Sequence, residues 1–136
     1  MSITLEGQVP ITVESDIVIA RRTVREVATQ VGFGPTDVTR IVTAASELAR
    51  NIFQYAGKGT MHWRPVEDHG RPGLELRFVD NGPGIADVSL ALQEGYSTGE
   101  GLGLGLSGAK RLMDTMDIES NPGQGTKITV KKWRKP

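Results

Sequence analysis

The sequence has 136 residues, enough to bury one hydrophobic core and too few for two domains. Sixteen basic residues balance sixteen acidic ones, so neither nucleic acid nor an anionic membrane is expected as a partner. The lack of cysteine excludes disulfides and zinc–thiolate sites, and no apolar run approaches the roughly 20 residues of a membrane span. The amino-terminal segment lacks a signal-peptide pattern, so we expect a cytoplasmic protein with a single domain over residues 1–136.

The first part of the chain predicts an edge strand and then a helix. Residues 3–15 alternate apolar and polar side chains around Gly7 and Pro10, which is typical of a short edge strand or a pair of strands. Ser15 is expected to cap a helix whose apolar side chains follow helical spacing until Gly32 ends it.

A second helix and a hairpin follow. From residue 38 to residue 53, apolar side chains recur at i, i+3, i+4 and i+7, and "AGKG" ends this helix. The stretches "TMHWRPV" and "LELRFVD" predict two strands joined by the polar segment "EDHGRPG".

The last part of the chain predicts a helix, a turn and a strand. A single helical turn is expected over residues 88–93, and apolar positions between residues 106 and 116 predict a third helix. "NPGQG" is typical of a turn and "TKITVKKW" of a final strand. The basic residues "KKWRKP" are expected to form a solvated end.

The predicted hairpins, around residues 59–80 and 117–133, outnumber strand–helix–strand crossovers. This order favours an α+β fold, a two-layer sandwich in which helices cover one face of a mixed, mainly antiparallel sheet. A doubly wound Rossmann sheet is the less favoured architecture.

Glu47 and Asn51 form the first candidate functional pair. Because they are spaced i, i+4, they lie on one face of the second helix, away from its apolar stripe. A carboxylate and a carboxamide offer hard oxygen ligands that suit a hydrated Mg²⁺, or they can position a water. A solvated helix face is the alternative interpretation.

The segment "DNGPG" directly follows a predicted strand. An aspartate before glycines usually makes only a turn. As part of a binding site, Asp80 would accept a hydrogen bond from the exocyclic amine of a base, and Gly82 and Gly84 would let the ligand approach the backbone.

The segment "STGEGLGLGLSGAK" leads into the third helix. It lacks the G-x-x-x-x-G-K-[ST] pattern of a P-loop, and it fits G-x-G-x-x-G only loosely because no strand precedes it. Glycine amides at the start of a helix, together with the helix dipole, would bind an anion with no side chain in the way. A flexible linker is the alternative, although the leucines between the glycines argue against it.

Together these features form a pattern that resembles the GHKL superfamily of gyrase, Hsp90, histidine kinases and MutL. In chain order the pattern is E-x-x-x-N on a helix, D-x-G-x-G after a strand, G-x-G-x-G before a helix, and Gly125-Thr126 at a strand start. The resemblance covers residues 15–133 and implies a domain that binds ATP and Mg²⁺.

The resemblance implies a role for each matching residue. Glu47 would orient or deprotonate the attacking hydroxyl or water, and Asn51 would ligate Mg²⁺ and contact the nucleotide. Asp80 would bind the adenine amino group, helped by the Thr126 hydroxyl. The other implied nucleotide contacts come from glycine turns and the lid: Gly82, Gly84, Ser97, Thr98, Gly101, Gly103, Leu104 and Gly105.

Within the superfamily, "SELARNIFQYAGKG", "DNGPGI" and "GYSTGEGLGLGLSGAKRLMD" resemble stand-alone serine kinases of bacterial partner-switching modules, in particular stressosome switch kinases. His62 and His69 fall in or beside the predicted hairpin, so neither is expected to accept a phosphoryl group as in a histidine kinase. The resemblance implies phosphorylation of serine on a STAS-domain antagonist and co-antagonist during a stress response. It also implies later binding to a downstream output protein such as a PP2C-type phosphatase.

Anti-sigma factors form the neighbouring branch, and a lid arginine separates the two. No lysine or arginine occurs between Arg77 and Lys110, and Gly101 stands near the expected position of that arginine. The sequence therefore favours the switch kinase over the alternative, an anti-sigma factor that sequesters a sigma subunit in a nucleotide-dependent way. Positive charge near the γ-phosphate would come from Mg²⁺, the helix dipole, Arg50, Lys110 or a partner's side chain.

Overall fold

The computed structural model describes residues 6–82 and 106–135, which form an antiparallel sheet covered by helices. The strands are β1 (Gly7–Ile11), β2 (Gly59–Asp68), β3 (Arg71–Asp80), β4 (Thr115–Ser120) and β5 (Thr126–Trp133). The helical segments are α1 (Ser15–Val31), α2 (Pro35–Asn51), a π-helical segment (Ile52–Ala56) and α3 (Leu106–Leu112). In the described residues the sheet order is β1-β2-β3-β5-β4, and every pairing is antiparallel. The predicted α+β class is confirmed.

Apolar and polar side chains alternate along the strands, so the sheet has one apolar face, and this face packs against the helices. Val9, Met61, Phe78 and Ile128 are register partners across four strands, and all four are buried. Residues directly opposite each other in antiparallel strands point to the same face, so this row forms the sheet side of the core. Buried apolar residues of α1 and α2 form the other side: Ile17, Ala20, Val24, Val27, Val38, Ile41, Ala45 and Leu48. None of the helices in residues 6–82 and 106–135 has the length and apolar character needed to span a membrane.

The opposite face of the sheet is polar. Arg64 on β2 donates from Nε to Oε2 of Glu75 on β3 at 2.7 Å, and this hydrogen bond raises the pKa of the Arg64 guanidinium. Glu75 is only 7% exposed although it lies on this face. Partial burial, and then the charge of Arg77, lower the pKa of the neighbouring His62.

The start of α1 differs from the prediction. Ser15 is the first helical residue, and no side-chain hydrogen bond caps the helix within the described part of the chain. The Asp16 carboxylate instead accepts hydrogen bonds from the backbone amides of Thr12 and Val13, at 2.9 and 3.1 Å. These bonds lower the pKa of Asp16. Gly32 ends the helix as predicted, in the left-handed conformation with φ of 107°.

The segment predicted to join the first hairpin belongs mostly to its strands. β2 and β3 remain paired as far as Asp68 and Arg71, so only His69 and Gly70 form the turn. Both turn residues have positive φ, 51° and 78°, as two-residue hairpin turns of type I′ require. The sequence prediction assigned these polar residues to a loop, and it is wrong because the ends of both strands are exposed to solvent on both faces and carry polar residues as well.

The third helix is shorter than predicted. α3 ends at Leu112, and Met116 lies in β4 opposite Val130 of β5. Met116 and Ile118 alternate with polar residues, so the same apolar positions also fit a strand, and pairing with β5 decides between the two. The helical turn predicted over residues 88–93 lies outside the described residues.

The basic end of the chain is part of the fold, so the prediction of a solvated end is wrong. Lys132 lies in β5 on the core side of the sheet and is only 6% exposed. Its ammonium donates to the Leu112 carbonyl oxygen at 2.9 Å. The carboxylates of Asp37 and Asp114 lie 3.9 and 3.8 Å from the same group. A lysine is buried here because its charge and its protons have partners.

Candidate functional site

Glu47 and Asn51 lie on the last two turns of α2, and both residues are half-buried. Glu47 Oε1 accepts a hydrogen bond from Arg50 Nη1 at 3.2 Å, and its side chain keeps 37% of its surface exposed. A partly exposed pair of this kind holds its carboxylate only weakly. Glu47 is therefore accessible to a ligand or substrate while it remains attached to a helix whose opposite side is packed in the core.

The π-helical segment directly after Asn51 brings the end of α2 alongside the end of β3. It places Ala56 so close to Gly82 that a Cβ on Gly82 would lie 2.6 Å from the Cβ of Ala56. Gly57 then ends the helix with φ of 82°. Single π turns in helices frequently occur at functional sites. The sequence carries no signal for this turn, because its apolar positions also fit an ordinary α-helix.

Asp80 is the last residue of β3 and lies opposite Thr126, the first residue of β5. Directly opposed residues have Cβ atoms about 4.5–5.5 Å apart and point to the same face, so these two side chains are neighbours on the helix-covered side. Asp80 Oδ1 accepts a hydrogen bond from the Gly82 amide at 2.9 Å, which forms the turn after the strand. Within the described residues no hydrogen bond reaches the second carboxylate oxygen, Oδ2.

Glycines let the backbone close tightly around Asp80. A Cβ on Gly125 would collide with the Asp80 carbonyl oxygen, and Gly125 also has a φ of 86°. Gly82 must lack a Cβ because Ala56 occupies the space beside it. Packing within the chain thus requires glycine at position 82, which is a different reason from the ligand approach that the sequence pattern suggests.

Ser120 is a polar neighbour of this site that sequence reasoning misses. It ends β4 opposite Thr126, and the two hydroxyl oxygens are 2.8 Å apart. Ser120 Oγ also donates to the Gly125 carbonyl oxygen at 3.1 Å. A serine at the end of an alternating strand is unremarkable in the sequence, because only the pairing of β4 with β5 brings it next to Thr126.

Seven of the predicted site residues lie outside the described residues: Gly84, Ser97, Thr98, Gly101, Gly103, Leu104 and Gly105. The chain is described again from Leu106, which is buried and begins α3. α3 packs against α2, the helix that carries Glu47 and Asn51. The structure therefore brings together Asp80, Gly82 and Thr126 beside the end of α2, and the roles of the glycine-rich segment remain predictions.

The donor set at the end of α2 fits magnesium delivered with a nucleotide. Among the described residues no three carboxylate or histidine side chains come together as a metal cluster. Mg²⁺ usually keeps several waters and binds phosphate oxygens together with one or two protein oxygens. The amide oxygen of Asn51 and the carboxylate of Glu47, one turn away, are oxygen donors of the kind that such an ion binds.

The chain is similar to known proteins over most of its length. A family described as histidine kinase-, DNA gyrase B-, and HSP90-like ATPase matches residues 36–136. The serine/threonine-protein kinase RsbT of Bacillus subtilis (strain 168) is 50% identical over 125 residues, which cover 92% of this chain and 94% of RsbT. The anti-sigma F factor of Caldanaerobacter subterraneus subsp. tengcongensis is 32% identical over 120 residues, which cover 84% of this chain and 82% of that protein.

Solved structures share the fold at lower identity. The RsbU and RsbW domains of Rv1364c from Mycobacterium tuberculosis match 96% of this chain and 33% of that chain, with a TM-score of 0.64 and 18% identity. The mycobacterial sensor histidine kinase MprB matches 96% of this chain and 99% of that one, with a TM-score of 0.57 and 17% identity. At these identities the likeness supports the fold alone.

These similarities decide between the two functional predictions. The prediction of a serine/threonine-protein kinase is confirmed by the 50% identity to RsbT, and the more distant anti-sigma F factors fit the alternative less well. The prediction of ATP binding is confirmed at the level of the family. The chain belongs to the histidine kinase-, DNA gyrase B- and HSP90-like ATPase family, that is, to the GHKL superfamily.

Proposed function

We propose that this protein is an Mg²⁺- and ATP-dependent kinase that phosphorylates serine on STAS-domain antagonist proteins of a stressosome. The structure supports this proposal because it brings two predicted motifs close together. Ala56 packs against Gly82. Ala56 lies five residues after Asn51, and Gly82 lies two residues after Asp80. The E-x-x-x-N helix and the D-x-G-x-G turn therefore border the same region of the fold. The 50% identity to RsbT supports the choice of a kinase among the many functions of this superfamily.

The proposed roles follow the chemistry of each side chain. Asp80 and Thr126 bind the adenine base, and Asn51 contributes an oxygen ligand to Mg²⁺, which offsets phosphate charge when it is bound. Glu47 takes the proton from the attacking serine hydroxyl as its oxygen bonds to the γ-phosphorus and the bond to the β-phosphate oxygen breaks. The products are ADP and phosphoserine. Residues 97–105 supply the remaining phosphate contacts in this proposal.

The proposed partners are the STAS-domain antagonist and co-antagonist as substrates, and a downstream output protein such as a PP2C-type phosphatase. In partner switching, the kinase would release the phosphorylated antagonist and then bind the output protein. The balanced charge of the chain agrees with protein partners in the cytoplasm better than with nucleic acid or a membrane surface.

Phosphotransfer from γ-labelled ATP to a purified STAS-domain protein encoded beside this chain tests the proposal. We expect one labelled serine on the substrate with wild-type protein and none with Asn51→Ala. Efficient ATP binding without any labelling of the substrate would argue that the protein binds nucleotide for another purpose.

A further inference from the structure

Glu47 has a neighbour on each side along the exposed surface of α2. An α-helix turns by about 100° per residue, so Arg50 lies about 60° to one side of Glu47 and Asn51 about 40° to the other. Arg50 Nη1 donates to Glu47 Oε1 at 3.2 Å. Among the described residues no other hydrogen bond or ion pair reaches the Glu47 carboxylate. Its second oxygen, Oε2, therefore keeps its lone pairs for another partner.

The two sides of Glu47 correspond to two different chemical roles. On the side of Asn51, the proposed Mg²⁺ ligand, the carboxylate would serve as a second oxygen ligand of the kind that this ion commonly takes. A carboxylate bound to a doubly charged ion is a poor base, because the ion stabilises its negative charge. On the side of Arg50, a singly charged guanidinium engages one oxygen and leaves the other available. Only the second arrangement suits a general base.

We propose that Arg50 is a positioning residue for the general base: it holds Glu47 on the side of α2 away from Asn51 and so keeps the carboxylate out of the metal site. This inference rests on the proposed function, because it requires Glu47 to act on the substrate serine and Asn51 to bind Mg²⁺. The serine proton moves to Oε2 while Oε1 remains bonded to Arg50. Arg50 exchanges no proton itself, since its guanidinium does not deprotonate in proteins.

The exposure of the pair sets the size of the expected effect. The side chains of Arg50 and Glu47 are 45% and 37% exposed, and ion pairs of this kind change an equilibrium by up to about 5-fold. Arg50 also lies in the last turn of α2, where a positive charge stabilises a helix in any case. Metal affinity distinguishes the two roles, because loss of a merely structural contact does not strengthen the binding of a metal.

The first experiment measures the dissociation constant of Mn²⁺, a paramagnetic substitute for Mg²⁺, by electron paramagnetic resonance. It uses the full chain with a saturating nonhydrolysable ATP analogue. Arg50→Gln should tighten Mn²⁺ binding, because the released carboxylate joins Asn51. Removal of a positive charge also favours a cation, so the same substitution is made in a Glu47→Gln background, where only that charge effect is left. The tightening should be about 3- to 5-fold larger with Glu47 present than without it.

The second experiment is single-turnover phosphotransfer to the STAS substrate at saturating Mg²⁺ and ATP. Arg50→Gln should lower the rate by about 3- to 5-fold, and it should have less than about 1.5-fold effect in the Glu47→Gln background. Arg50→Lys keeps a charged donor at the same helix position and should recover most of the lost rate. Arg40→Gln is the matched control, because it removes another i,i+3 ion pair of α2, the one with Asp37. Its rate and its Mn²⁺ affinity should be close to those of wild type.

The outcomes separate failure of the inference from failure of the proposed function. Equal tightening of Mn²⁺ binding in both backgrounds would overturn the inference, because Arg50 would then act only as a nearby charge. Equal loss of phosphotransfer in both backgrounds would also overturn it, in favour of direct contact between Arg50 and a phosphate. The proposed function would survive either result, provided that wild-type protein labels the STAS serine and Glu47→Gln does not. Wild-type rates in Glu47→Gln would overturn the proposed base and the inference together.

Discussion

The ammonium of Lys132, four residues before the end of the chain, lies 3.9 Å from the carboxylate of Asp37 in the first turn of α2, and both side chains are about nine-tenths buried. The same ammonium donates to the Leu112 carbonyl oxygen, so it connects α2, α3 and β5 at one point. These contacts lie at the end of β5 away from Thr126. They link the positions of the two helices to an interior strand of the sheet, which lies between β3 and β4.

Lys132→Met should therefore lower the free energy of unfolding by about 2–4 kcal/mol, because it leaves a buried carboxylate and a helix-end carbonyl without this partner. Arg40 still donates to Asp37 at 2.9 Å, which limits the loss. Urea denaturation followed by circular dichroism gives the value. Lys131→Met, on the polar face next to it, should cost less than about 1 kcal/mol. Equal losses in the two variants would contradict the role of the buried ammonium.

Asp80→Asn should weaken ATP binding by about 10-fold or more while the fold is retained. The asparagine oxygen can still accept from the Gly82 amide, but its NH₂ group replaces an acceptor with a donor at the proposed base contact. Calorimetric titration with ATP and Mg²⁺ provides the measurement. Asp117→Asn on the exposed part of β4 is the matched control, and ATP affinity close to wild type in Asp80→Asn would remove Asp80 from the site.

Glu47→Gln should reduce phosphotransfer to serine by about 10²- to 10⁴-fold, the usual contribution of a general base. ATP affinity should change by less than about 2-fold, because the proposed partner of Glu47 is the substrate hydroxyl. Glu26→Gln on α1 serves as the control. Single-turnover labelling of the STAS substrate separates the two effects, and a loss confined to ATP affinity would assign Glu47 to nucleotide binding instead.

Gly82→Ala should lower the free energy of unfolding by about 1–3 kcal/mol, because the new methyl group would overlap the Ala56 side chain. Ala56→Gly in the same molecule should restore much of this stability by emptying the space. Thermal unfolding and ATP affinity are measured on both single variants and the pair. Recovery of stability without recovery of ATP affinity would show that position 82 also needs glycine for the ligand.

His62 predicts a pH dependence of stability. Burial first, and then Arg77, lower its pKa in the folded state below the unfolded value of 6.5. The unfolded chain therefore binds the proton at a higher pH, and the free energy of unfolding should fall as the pH drops through about 6.5 toward the folded pKa. Above that range His62 should have no effect.

Urea denaturation at pH 7.5 and pH 5.5 checks this prediction for wild type and His62→Gln. The variant should lose less stability between the two pH values than wild type. An identical pH dependence in wild type and His62→Gln would show that burial of His62 does not affect its protonation.

The helices and the first hairpin could be predicted because their signals are local. Apolar side chains at i, i+3, i+4 and i+7 indicate α2 wherever the helix packs, and Gly32 and Gly57 mark helix ends through backbone conformations that favour glycine. Boundaries were harder to predict where two structures suit the same pattern. Met116 continues the apolar spacing of a helix and also the alternation of a strand, and only hydrogen bonds to β5 favour the strand.

The sequence by itself determined the fold class, the family resemblance and the identity of Glu47, Asn51, Asp80 and Thr126 as candidates, because these depend on residue types at fixed spacings. The tertiary structure alone decided that Asp80 and Thr126 are neighbours, that the Ser120 hydroxyl lies within hydrogen-bond distance of the Thr126 hydroxyl, and that Lys132 is buried. Each of these facts depends on contacts between strands and helices that are distant in the chain. Hydrogen bonds between side chains and the burial of charge follow from which groups meet, and periodicity along a sequence does not contain that information.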